Sequence, residues 1–361
     1  MRFFDEYCSD TLAASANQCA LFTDDGETVR TGRIYYRIFA GGKQNYTLLF
    51  SDTIDSTYDD GGISRKNRVC GDWRIHALRV GITFTADVNE AAEPEEFVPV
   101  TFGGKSETEV LPGSLFYTDA FELDAPSGSY LCVEIAFSGH AMPHFPERII
   151  PSFLKTGGTW VPSCEMPFPS MIASGRVPEK RIAFLGDSIT EGIGTEENSY
   201  KHYAAVIAEK LGRRYAYWDL GIGYARASDA AADGMWLYKA RRNDLVVVCL
   251  GVNDLLRGAS GAQVIESLDI VVRELKAAGC RVIVQTVPPF DYPEAVIGEW
   301  DAVNRHILTG LKDADAVFDT VPVLMGEKRH MARYGDHPNA EGCAAWAEEL
   351  YSVIQRVIEE K

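Results

Sequence analysis

Long apolar runs are missing from this chain of 361 residues. No stretch approaches the ~20 consecutive apolar residues of a membrane-spanning helix, so no membrane partner is expected. Basic charge is scarce too: 35 Lys and Arg stand against 52 Asp and Glu, a formal net charge of -17. Nucleic-acid binding draws its affinity from clustered cations, so no nucleic-acid partner is expected. No C-x-x-C pair joins any of the eight cysteines, Cys8, Cys19, Cys70, Cys132, Cys164, Cys249, Cys280 and Cys343. That spacing argues against a zinc site and for reduced core thiols. The residues from Met1 to Asp10 lack a basic start followed by an apolar run, so no secretory signal is visible and a cytoplasmic protein is expected.

What is present is an ordinary globular composition, 46% hydrophobic and 24% charged, in a chain comfortable for two domains. From about Arg33 to Phe137, short runs alternate with turn residues: 34–38, 46–50, 75–84, 97–102, 115–123 and 130–137. β-branched and aromatic residues at period two predict strands, and together an antiparallel, jelly-roll-like sandwich. The segment from Asp52 to Trp73 is polar and Gly-rich and reads as a long loop. Asp55, Asp59 and Asp60 lack the spacing of a calcium loop, so no metal is assigned. Seven prolines between His140 and Pro178 predict an extended connection, with a strand near Thr159 to Val161. The expected boundary lies near Ser170, giving a β-sandwich domain over 1–170 and a second domain over 171–361.

The second domain alternates strand-like runs with 3.6-period segments. Strands are predicted at 181–186, 214–220, 245–250, 281–287 and 316–319, and helices at 199–211, 229–241, 262–278, 294–311 and 340–359. This order implies a three-layer α/β domain with a parallel sheet, whose ligand crevice lies past the carboxyl ends of the strands. Ser188, Gly223 and Asn253 each fall just past such an end. His337 precedes the last helix, where a loop can carry it to the same rim. Taken singly, Ser188 would be a helix N-cap, Asn253 with Asp254 a turn or cap pair, and His337 before Pro338 a loop histidine.

Taken together, Gly186-Asp187-Ser188, Gly251-Val252-Asn253-Asp254 and His337-Pro338-Asn339 resemble the blocks of the SGNH (GDSL-type) hydrolase family. The resemblance covers roughly the second half of the chain. It implies a serine esterase with Ser188 as nucleophile and His337 as its base, working through an acyl-serine intermediate without cofactor. The implied oxyanion hole is the Ser188 N–H, a glycine N–H and the Asn253 side chain. For the glycine, 219–224 matches the family block approximately; Gly223 is chosen over Gly221 or the Tyr224 backbone.

The family places an orienting aspartate three residues before its histidine, and here that position holds Tyr334. Asp336 adjoins His337, but neighbours on an extended loop tend to point apart. The site is either a dyad held by a backbone carbonyl or a triad with Asp336 as orienting acid.

A β-sandwich followed by an SGNH domain resembles carbohydrate esterases of the family 2 type, which deacetylate xylan and similar glycans, some without the orienting aspartate. The expected substrate is an acetylated oligosaccharide or another small acyl ester. A lipase, a thioesterase, a sugar acyltransferase and a glycan-binding protein with an impaired hydrolase domain remain as alternatives. An exposed sandwich also offers surface for self-association into a homo-oligomer. Trp160, Tyr224, Trp236 and Trp300 are candidates for stacking on a sugar, with core packing the expected fate of each.

Overall fold

Alternating buried and exposed residues build the first unit, and continuous apolar strands build the second. The computed structural model describes residues 3–17, 19–23, 25–56, 67–311, 313–325, 332–334 and 337–360. The chain divides into two compact units, Met1–Val177 and Pro178–Lys361.

The first unit carries two larger antiparallel sheets. One is centred on Gly42–Ser51, which pairs with Leu115–Tyr117, Phe121–Ala125 and Met171–Ser174. The other is centred on Tyr130–Gly139, which pairs with Arg30–Arg37 and Trp73–Thr83. Its inward residues Leu131, Val133, Ile135 and Phe137 are fully buried. The predicted strand over 115–123 is two strands, because the chain between Tyr117 and Phe121 interrupts the ladder.

The proline-rich passage is not a bare connection. It contributes the strands Ala141–His144, Ser152–Thr156, Thr159–Pro162 and Met171–Ser174. Pro143 and Pro162 sit in two-stranded or edge positions, where a missing N–H costs no interior ladder bond. Since Met171–Ser174 pairs with both Gly42–Ser51 and Cys8–Ser9, the boundary falls at Val177, past Ser170.

Of the acidic loop, Asp55 is buried and accepts the Asn17 N–H at 2.8 Å, a structural role. Asp59 and Asp60 lie outside the described residues. Trp73 is core, donating its indole N–H to Asp52 at 2.8 Å. Of the thiols, Cys8, Cys70, Cys132, Cys249, Cys280 and Cys343 are buried, and Cys164 is half-buried.

In the second unit, β1 (Arg181–Gly186), β2 (Ala216–Gly221), β3 (Leu245–Cys249), β4 (Arg281–Gln285) and β5 (Ala316–Phe318) pair in parallel, in the order β2-β1-β3-β4-β5. The chain reverses direction across the sheet between β1 and β3, and such a switch point opens a crevice at the carboxyl ends. Strands β2 and β3 are buried along their whole length, so helices must cover both faces. Tyr203–Leu211 packs on Ala340–Glu359, and Gly261–Ala277 on Glu294–Thr309. The helix predicted over 229–241 is two short helices, Ala227–Ala230 and Met235–Ala240. They are separated where Asp233 takes φ 55° before Gly234.

A polar chain runs through the core between these layers. Thr190 and Tyr203 share a hydroxyl hydrogen bond at 2.8 Å, Gln285 donates to the Tyr203 hydroxyl, and Trp346 donates to Gln285 at 2.7 Å. The rings of Tyr203 and Trp346 stack with centroids 4.5 Å apart. Tyr203→Phe would strip two buried groups of a partner, and a loss of about 1–3 kcal/mol in unfolding free energy is expected from urea titration. Among the described residues, no helix is long and apolar enough to cross a membrane.

Candidate active site

The site begins with two glycines that let a helix sit directly on the strand ends. A Cβ at Gly186 would lie 1.9 Å from Thr190 Oγ1, and one at Gly221 would lie 2.2 Å from the Glu191 backbone nitrogen. Without side chains there, the helix Ser188–Glu191 starts immediately after β1. Asp187 caps that helix, its Oδ1 accepting the Ile189 N–H at 3.0 Å. Gly192 closes it in the left-handed conformation at φ 111°. Ser188 is thus fixed at the first helical position, where its own N–H has no intrahelical acceptor.

Ser188 Oγ lies 2.8 Å from His337 Nε2. That distance lets the imidazole take the hydroxyl proton as the oxygen attacks. His337 sits on the two-residue strand His337–Pro338, paired antiparallel with Ala332–Tyr334. Two further contacts hold it. The Phe290 ring meets the imidazole edge-to-face, with centroids 5.1 Å apart and planes at 79°. Gly194, at φ 102°, brings its Cα so close that a Cβ would lie 2.6 Å from the Pro338 carbonyl oxygen and 3.0 Å from His337 Cβ.

Asn253 lies in the helix Val252–Leu256, which follows β3 through Gly251 at φ 127°. Its Nδ2 donates to the Ala225 carbonyl at 3.0 Å. One of the two amide hydrogens is used there, and the other remains to donate. Ala225 is two residues past Gly223, so the bond ties the Asn253 side chain to the loop carrying the candidate glycine donor. Gly223 is buried in that loop, and its N–H makes no hydrogen bond among the described residues. By contrast the Gly221 N–H is taken by Asp219 Oδ1 at 2.8 Å, which removes Gly221 from the choice of donors. Asp254 is a structural cap: its carboxylate accepts the N–H groups of Ala227 and Ser228 at 2.7 and 3.2 Å.

Asp336, the sequence candidate for an orienting acid, lies outside the described residues. Tyr334 occupies the strand paired with His337. Of the four aromatic candidates, Trp236 and Trp300 are buried and donate to the Leu220 and Val287 carbonyls, so both are core. Trp160 lies in the first unit with the Arg33 guanidinium 4.3 Å from its ring centroid. Tyr224 alone is in the site loop, 43% exposed. Sequence reading passed over Gly194 and Phe290. The Gly192-Ile193-Gly194 spacing was a visible signal for the first, whereas nothing marks Phe290 as a neighbour of His337.

The GDSL-like Lipase/Acylhydrolase family model matches residues 184–345, the span from β1 into the last helix. That match takes in most of the second unit. The protein is accordingly a carboxylic ester hydrolase, and the serine and histidine blocks fall inside the matched span. Among solved structures, a family two carbohydrate esterase from Cellvibrio japonicus is 12% identical, covering 98% of this chain and 97% of its own, with TM-score 0.39. A carbohydrate esterase family 3 structure from Talaromyces cellulolyticus is 20% identical over 50% of this chain and 99% of its own, with TM-score 0.40. An acetyl-xylooligosaccharide esterase from Geobacillus Stearmophilus is 18% identical over 51% and 96%, with TM-score 0.40. At these scores the likenesses say nothing of substrate. No curated protein matches the chain.

One electrostatic feature of the acylhydrolase site bears on stability. Asp187 is buried, its Oδ2 has no partner among the described residues, and burial pushes its pKa up from 3.8 to about 7. The Ile189 N–H opposes that rise, and the neighbouring Asp254 adds to it. Between those two values the folded state holds a proton that the unfolded chain has released. Unfolding free energy therefore falls as pH rises through this window, by an upper bound of about 4 kcal/mol. Asp187→Asn keeps an oxygen for the Ile189 N–H and has no proton to lose. Chemical denaturation at pH 5 and pH 8 is expected to show the variant gaining on the parent at the higher pH.

Proposed function

We propose that the hydrolase is an acetyl esterase that removes acetyl groups from acetylated carbohydrate of the xylan or xylo-oligosaccharide type. The 2.8 Å contact between Ser188 Oγ and His337 Nε2 carries the mechanism. Ser188 attacks the ester carbonyl as His337 takes its proton. The carbonyl oxygen becomes an oxyanion facing the N–H groups of Ser188 and Gly223 and the free amide hydrogen of Asn253. His337 then returns the proton to the departing sugar oxygen. Water, deprotonated by the same imidazole, releases acetate from the acyl-serine.

Two features support the sugar ester over other acyl esters: an all-β unit precedes the hydrolase unit, and Tyr334 stands where most of the superfamily carries its acid. The domain order is shared with the family 2 type of carbohydrate esterase, some members of which also lack the orienting aspartate. On this reading the imidazole is oriented without the usual aspartate, and Asp336 is dispensable. Buried cysteines scattered without C-x-x-C pairs suit a reducing compartment, which supports a cytoplasmic enzyme acting on short, imported oligosaccharides.

Acetate release from acetylated xylo-oligosaccharides, compared with hydrolysis of acyl esters of two to twelve carbons, tests the substrate. The acetylated sugars are expected to give the highest kcat/KM. Preference for chains of eight or more carbons would replace this reading by a lipase or thioesterase. Acyl transfer to sugar outrunning hydrolysis would make the protein an acyltransferase.

A further inference from the structure

Tyr224 breaks a local rule. It is a bulky residue at φ 62°, in the left-handed region that costs a non-glycine roughly 1 kcal/mol or more. Such strain persists where the surroundings enforce it, and here they do. Ala225 N–H donates to the Ile222 carbonyl at 3.2 Å, closing the turn around Gly223 and Tyr224, and the Ala225 carbonyl is held by Asn253. The enforced conformation places a phenol ring, 43% exposed, directly beside the glycine that donates to the oxyanion.

A second side chain converges from the other donor. Arg257 follows the helix carrying Asn253, its N–H donating to the Asn253 carbonyl at 3.2 Å. Its guanidinium lies 5.9 Å from the centroid of the Tyr224 ring, within cation–π range. Tyrosine and arginine are therefore each positioned by the same loop and helix that hold the oxyanion hole, and both face water.

We infer that Tyr224, braced by Arg257, is the platform on which the alcohol portion of the ester, a sugar ring, lies during deacetylation; this rests on the substrate class proposed above. The acyl carbon must sit between Ser188 Oγ and the buried donors. The alcohol has to leave into water, so its contacts belong on the solvent side of Gly223, where the phenol stands. One face of a pyranose is a patch of C–H bonds that packs on an electron-rich ring, and its hydroxyl rim finds donors in a guanidinium. A small alcohol such as vinyl alcohol spans too little area to gain from either group.

The test is the ratio of kcat/KM for an acetylated methyl xyloside to kcat/KM for vinyl acetate. Tyr224→Gly suits it, because glycine adopts the left-handed backbone freely and so removes the ring while keeping the loop. This variant is expected to lower the ratio by about tenfold, chiefly through KM for the sugar ester. Tyr224→Phe is expected to keep the ratio within about twofold, and Arg257→Ala to lower it about threefold. If the parent enzyme hydrolyses the acetylated sugar and Tyr224→Gly leaves the ratio unchanged, the platform is overturned while the substrate class stands. If the parent does not favour the acetylated sugar at all, both fall.

Discussion

Ser188→Ala should reduce ester turnover by about 10⁴-fold or more, and His337→Ala by a comparable factor, with the double variant scarcely worse than either. The non-additivity is the informative part. The 2.8 Å contact makes the hydroxyl and the imidazole a single device: without the base the oxygen keeps its proton, and without the oxygen the base has nothing to activate. A hydrolysis progress curve for each variant, with labelling by a fluorophosphonate, separates the two losses. Ser188→Ala should abolish labelling, while His337→Ala should slow it. Asp336→Asn belongs in the same series and is expected to stay within about tenfold of the parent; a loss approaching that of Ser188→Ala would restore a triad. Additive losses at Ser188 and His337 would mean that the two do not act on one proton.

The candidate nucleophile stands out in the sequence because the features that mark it are local. A strand that stops at a glycine, an aspartate that caps, and a serine at the first helical position are consecutive residues, 186–188. The same holds for Asn253, which follows β3 by a few positions. What lay outside sequence reach was set by residues far apart in the chain. Gly186 is needed because of the Cys249 carbonyl as well as Thr190, and Gly221 because the serine helix lands on β2. Phe290 reaches His337 from a distant part of the chain, with no periodicity to announce it. In the first unit, the proline-rich passage showed only the strand near Thr159 and hid three others, because prolines suggest connection while the edge and two-stranded positions they occupy tolerate them. Tyr224 was visible only as one aromatic among four. Its exposure and its backbone angle, which distinguish it from Trp236 and Trp300, exist only in three dimensions.

Asn253→Ala is expected to lower kcat by about 10²–10³-fold with little change in KM. The size follows from where the amide is held. Its Nδ2 is anchored on the Ala225 carbonyl at 3.0 Å, so the remaining hydrogen is aimed before the substrate arrives and no reorganisation accompanies the reaction. The ground-state carbonyl is neutral and draws little from that donor, whereas the oxyanion draws fully, which is why the loss falls on kcat. Asn253→Asp separates geometry from charge, since it keeps the side-chain shape but puts a carboxylate where the oxyanion develops. Its turnover should fall below that of Asn253→Ala at neutral pH, where the carboxylate is ionised. Loss of the Ala225 anchor is common to both variants, so a structural effect alone would lower them equally. A lower rate for Asn253→Asp than for Asn253→Ala would therefore report the electrostatic role of the amide at the transition state.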